Sequence, residues 1–131
     1  MSSLSFEDLH RVFEKYERIM LVYLFGSLAR GQETSLSDVD IAVLLEELPD
    51  DLLGFTLNLI DELSVILGDR VDLVFLNEAP PLLRHQVIKH GRVIYQRSEE
   101  ERVGFEVKSE RECLDLRFLY HRYNQVLLEE A

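Results

Sequence analysis

The chain of 131 residues has a single cysteine, Cys113, so no intrachain disulfide can form and a cysteine-rich zinc site is excluded. No run of 18 apolar residues occurs, and the opening MSSLSFEDLHRVFEKYERI has acids where a secretion signal would be apolar. The resulting expectation is a cytoplasmic protein with no membrane contact. Basic residues are few: 14 Lys and Arg stand against 25 Asp and Glu, a net charge of -11. That balance argues against general affinity for nucleic-acid backbone. It is compatible with cations or a basic protein partner, and otherwise serves solubility. Internal repeats and low-complexity linkers are also absent, so one domain is the simplest organisation at this length.

The elements follow from periodicity. Ser5 is a suitable N-cap for a helix from Phe6 to about Tyr16, whose apolar face carries Phe6, Leu9, Val12, Phe13 and Tyr16. Ile19 to Phe25 is almost wholly apolar and too short for an independent helix, which predicts a strand buried on both faces. Leu28-Ala29-Arg30 fits a helical turn between Gly26 and Gly31, and 32–37 is polar loop. Asp38 to Leu45 predicts a second strand and Val71 to Leu76 a third. Pro49-Asp50-Asp51 starts a helix to about Leu67, stopped by Gly68. Pro80-Pro81 opens another to about His90, and Arg92 to Tyr95 predicts a fourth strand. Beyond Ser98 there is no proline and only Gly104, and Val107, Leu114, Phe118, Tyr120-His121 and Leu127-Leu128 recur at helical spacing. One or two helices are expected there, packed on the domain or on a partner. The order is that of an α/β domain: a small mixed sheet flanked by helices, with residues 1–97 as its core and 98–131 as a C-terminal helical extension.

Chemistry concentrates between Leu21 and Leu45. Asp38 and Asp40 are two positions apart on a strand, so their side chains point the same way, roughly 6.5–7 Å apart at the backbone. Two like charges on a mostly apolar strand are costly unless something positive lies between them, and a hard divalent cation such as Mg²⁺ meets that need. Asp72 repeats the anomaly inside VDLVFL, where it could equally be a paired core acid. Three acids on adjacent strands could hold two ions about 3.5–4 Å apart, as in-line phosphoryl displacement uses them. Gly26 permits close backbone approach, and amides opening a helical turn attract phosphate, to which the Ser27 hydroxyl adds a donor. Arg30, one turn on, could neutralise phosphate charge or stand as a surface residue.

Gly26-Ser27, ten residues, Asp38-x-Asp40 and then Asp72 resemble the nucleotidyltransferase superfamily related to polymerase beta. The wider GSLARG…SDVDIAVLL in so short a chain resembles its minimal nucleotidyltransferases, the antitoxins encoded beside HEPN ribonuclease toxins. The likeness covers roughly Ile19 to Leu76, while the last third matches only in being helical. The resemblance implies Asp38, Asp40 and Asp72 as metal carboxylates, with two Mg²⁺ ions, and Gly26 and Ser27 as the holders of ATP. It implies transfer of AMP to a tyrosine hydroxyl of the HEPN toxin with release of pyrophosphate, Asp72 being nearest the attacking hydroxyl. Alternatives are a small-molecule acceptor, or an antitoxin that binds and occludes without catalysis.

Other residues carry no comparable signal. His10, His85, His90 and His121 lack paired ligand spacing, and Cys113 on a helix reads as packing. Arg117 with His121-Arg122-Tyr123 echoes a HEPN signature at the wrong spacing, and nothing around Tyr95, Tyr120 or Tyr123 marks them for self-modification.

Overall fold

The computed structural model describes residues 6–26, 39–68 and 70–130. In chain order they form α1 (Phe6–Glu14), β1 (Ile19–Phe25), β2 (Val39–Leu45), α2 (Leu52–Leu67), β3 (Val71–Phe75), α3 (Pro81–His90), β4 (Arg92–Gln96) and α4 (Glu99–Glu130). The expected Ser5 cap, the turn at 28–30 and the polar loop at 32–37 lie outside the described residues.

The sheet has the order β3-β2-β1-β4. β1 is antiparallel to both β2 and β4, whereas β2 and β3 run parallel, which makes the sheet mixed. Period-two alternation sends the side chains of β1 and β2 into two separate cores. Val22, Leu24, Ile41 and Val43 meet Leu9, Val12 and Phe13 of α1 and Leu59 and Leu63 of α2. Leu21, Tyr23, Ala42 and Leu44 meet Leu76 and Val87, with Phe105 of α4 against them. Helices thus cover both faces, and the two central strands are buried along most of their length, as their apolar runs predict.

Boundaries differ from the periodicity reading where local hydrogen bonds decide them. α1 ends at Glu14 because the amides of Lys15 and Tyr16 turn back three residues, to the carbonyls of Val12 and Phe13 at 3.2 Å. α2 begins only at Leu52, since the Asp51 carboxylate accepts from the Gly54 amide at 3.0 Å and acts as N-cap. The C-terminal third is a single helix of 32 residues, opened by the Ser98 hydroxyl accepting from the Glu101 amide at 3.0 Å. Its inward face is not the one its apolar spacing suggests. Ser109 and Cys113 are buried while Val107, Leu114 and Phe118 face solvent.

Two polar ties hold the elements that carry the site. Asn77, just past β3, accepts from the Leu45 amide at 2.9 Å and donates to the Leu45 carbonyl at 2.8 Å, so its side chain extends the β2–β3 ladder. On the other core, the buried Tyr23 hydroxyl donates to Glu106 of α4 at 2.5 Å, and Arg102 donates to the other Glu106 oxygen at 2.8 Å. Burial first, and the Glu106 carboxylate second, push the Tyr23 hydroxyl above its ordinary pKa, so it remains a donor. Among the described residues, no helix is long and apolar enough to cross a membrane.

Candidate active site

β1 ends at Phe25, and the next residue, Gly26, has φ +83°, in the left-handed region open to glycine. A Cβ at this position would lie 3.1 Å from the Asp40 Cγ and closer still to Oδ2. The reason is register: Phe25 pairs with Asp40 across the antiparallel β1–β2 ladder, so the chain leaves β1 directly against the Asp40 carboxylate. Both the turn and the acid therefore require the missing side chain.

Asp40 in turn pairs with Asp72 across the parallel β2–β3 ladder. Directly paired residues on adjacent strands share a face and sit about 4.8 Å apart at the backbone. For these two acids it is the face of Ala42 and Leu44, under α3 and α4. Asp40 is half-buried on a central strand, whereas Asp72 is exposed. This corrects the expectation of a buried third acid. β3 is an edge strand, covered on one side only, and its apolar residues are partly rather than fully buried.

Three of the six expected site residues are thus brought together: Gly26, Asp40 and Asp72. Ser27, Arg30 and Asp38 lie outside the described residues. Among the described residues no group of three potential metal ligands occurs, and Asp38, two positions from Asp40 in the sequence, lies outside them. The donors at hand are all carboxylate oxygens, in register, with solvent access through Asp72, and that set suits a hard cation such as Mg²⁺. A hollow of about 630 Å³ lined by His10, Ile94, Tyr95 and Arg102 lies at the far β4 edge, away from these acids.

Comparison with known proteins decides what kind of domain carries this arrangement. Residues 7–100 match the family model described as polymerase beta, nucleotidyltransferase. The chain belongs to the polymerase beta nucleotidyltransferase family. One curated relative, the protein adenylyltransferase MntA of Shewanella oneidensis, is 34% identical over 92 residues, 70% of this chain and 64% of that protein. The chain thus matches somewhat under two thirds of the length of that nucleotidyltransferase. A solved toxin–antitoxin structure with AMP-PNP contains a chain that superposes with a TM-score of 0.73 at 26% identity, over 97% of this chain and 98% of that one. A second, the tri-AMPylated Shewanella oneidensis HEPN toxin in complex with MNT antitoxin, matches with a TM-score of 0.64 at 25% identity, over 95% and 93%. In this chain's domain, the Asp40–Asp72 pair stands at the N-terminal ends of β2 and β3, beside the point where the chain leaves β1 at Gly26.

The residues that sequence reasoning passed over are the ones that position this site. Asn77 reads as an ordinary turn residue after a strand, and its clasp on Leu45 shows only once β2 and β3 are paired. Tyr23 reads as one more apolar residue of β1. Glu106 on α4, 83 residues later, is the sole hint of its polar tie.

Proposed function

We propose that this protein is a Mg²⁺-dependent nucleotidyltransferase that moves AMP from ATP to a tyrosine of a HEPN ribonuclease toxin, and so acts as that toxin's antitoxin. The observation that carries the reading is the in-register pair of Asp40 and Asp72 beside the Gly26 turn, within a nucleotidyltransferase domain. The relatives' names point the same way, one being a protein adenylyltransferase and another an antitoxin held with an AMPylated HEPN toxin.

Each residue then has a role. Asp38, Asp40 and Asp72 hold Mg²⁺, two ions by the family resemblance, which when bound supplies positive charge to the triphosphate. Gly26 and Ser27 cradle that triphosphate through backbone amides and the serine hydroxyl, and Arg30 offsets its charge. The tyrosine oxygen attacks the α-phosphorus, the bond to pyrophosphate breaks, and the hydroxyl proton passes to Asp72. Exposure of Asp72 on an edge strand favours that assignment, because an acceptor arriving on another protein can reach it.

Intact mass spectrometry of the toxin, co-expressed with and without this protein, tests the reading. One or more added AMP masses are expected, and they should disappear with Asp40→Asn/Asp72→Asn. A bound but unmodified toxin would replace transfer with occlusion, and a toxin neither bound nor modified would point to a small-molecule acceptor.

A further inference from the structure

The last half of α4 runs out past the sheet, with the Arg117 guanidinium still meeting His85 Nε2 of α3 at 3.3 Å. A helix of 32 residues is about 48 Å long, roughly twice the length of a seven-residue strand, so about half of it overruns the sheet. The change falls just after Cys113, which is 1% exposed. Further along, Leu119, Tyr120, Tyr123, Val126 and Leu127 are 47–62% exposed. With the half-buried Leu116, these residues recur at steps of three, one, three, three and one. On a helix that spacing forms one stripe, about 17 Å long, of the kind that packs against another helix. The first part of the same helix packs in this way on α3, where Arg84 bonds Ser109 at 3.4 Å and His85 meets Glu110 at 2.8 Å.

We infer that this stripe, Leu116 to Leu127, is the surface on which the toxin docks, through a helix with an apolar face. The inference rests on the antitoxin reading above. Two observations select this occupant. The family model ends at residue 100, so the stripe lies outside the part matched as nucleotidyltransferase. Yet the antitoxin-type chain solved in a toxin–antitoxin structure matches 97% of this chain, which leaves room for only about four unmatched residues and so includes nearly all of the stripe. An exposed stripe of this size is also a solubility liability unless a partner covers it. Its setting differs from the rest of the acidic chain. Between Leu114 and Leu127 the only acid is Asp115, against Arg117 and Arg122, so little like-charge repulsion stands in the way of an acidic or neutral helix face.

The test uses the full chain with Leu119→Glu/Tyr123→Glu, and with His121→Glu/Gln125→Glu as a control that adds the same charge at the same spacing on the opposite side of the helix. Binding to the purified toxin is measured alongside affinity for magnesium AMP-PNP. We expect the stripe variant to bind toxin at least ~30-fold more weakly, as loss of a central apolar anchor does, with AMP-PNP affinity unchanged. The control should bind both as wild type does. A stripe variant that binds and modifies toxin at the wild-type level overturns the inference and leaves the transferase reading standing. A wild-type chain that dimerises alone, where the stripe variant stays monomeric, makes a second copy the occupant and also overturns it. If the wild-type chain neither binds nor modifies toxin, the antitoxin reading itself fails and takes this inference with it.

Discussion

At the scale of single residues, the site depends on atoms that are missing as well as on those present. Gly26 has both a left-handed backbone and no room for a Cβ beside Asp40. Gly26→Ala should therefore cost about 1–2 kcal/mol in backbone strain and also push the Asp40 carboxylate from its place. A displacement on the order of 1 Å is enough for a ~100-fold loss of transfer. Steady-state AMP transfer and a thermal melt on the same variant would separate the two effects. Asp40→Asn and Asp72→Asn each remove a charge that the cation needs, and each should lower transfer by roughly 1,000-fold, several kcal/mol of barrier. The melting temperature of Asp72→Asn should hold or rise, since Asp72 is exposed and faces another acid across the ladder. A marked fall would recast Asp72 as a structural acid.

At the scale of elements, the parallel β2–β3 pair brings Asp40 and Asp72 together, and the Asn77 clasp secures it. Asn77→Ala leaves the Leu45 amide and carbonyl without those partners at the end of a buried strand, which should cost about 2 kcal/mol. For a chain of this size a drop of about 8 °C in melting temperature is the corresponding signal. Hydrogen exchange should also rise at β3 before it rises at β1, because β3 is the edge strand. A uniform rise across the sheet would show that the clasp supports the whole domain rather than this pairing. The cores themselves were legible from the sequence. Leu9, Val12 and Phe13 on α1, and the runs of β1 and β2, are buried as their spacing predicts. α4 was not legible in this way, because apolar spacing shows that a helix has faces and not which one meets the sheet. Its inward residues include Ser109, Cys113 and Glu106, all weak or contrary signals in an apolar reading.

At the scale of the whole molecule, charge and burial set a window of stability in pH. Hydrogen bonds from Lys15 and then Tyr16 lower the pKa of Glu62, and a hydrogen bond from Arg97 lowers that of Glu101, from an ordinary 4.5. The folded state then holds fewer protons than the unfolded one near that pH. Their contribution is complete above about 4.5 and is lost as pH falls through the depressed folded values. The tyrosines act in the opposite direction. Burial, with carboxylate neighbours second, raises Tyr16 and Tyr23 above 10.0, so their contribution is complete below 10.0 and declines as pH climbs past it. Unfolding free energy, followed by denaturant titration, should plateau between these limits, and Tyr23→Phe should flatten the alkaline limb while lowering the plateau by about 1 kcal/mol. An alkaline limb unchanged by Tyr23→Phe would assign it to another group.

Local features are written in the chain alone: which segments form strands or helices, which strands are buried on both faces, and which few residues are chemically out of place among their neighbours. Period and composition act over a handful of residues, and the motif from Gly26 to Asp40 is short enough to be read directly. The tertiary structure alone decided the relations between distant segments. It set Asp72 opposite Asp40, made β3 an edge so that Asp72 is exposed, and pressed Gly26 against the Asp40 carboxylate. It also ended the sheet halfway along α4 and left the stripe from Leu116 uncovered. The physical reason is the same in each case: strand register and the extent of a core are fixed by packing between segments far apart in the chain, about which no single segment carries information.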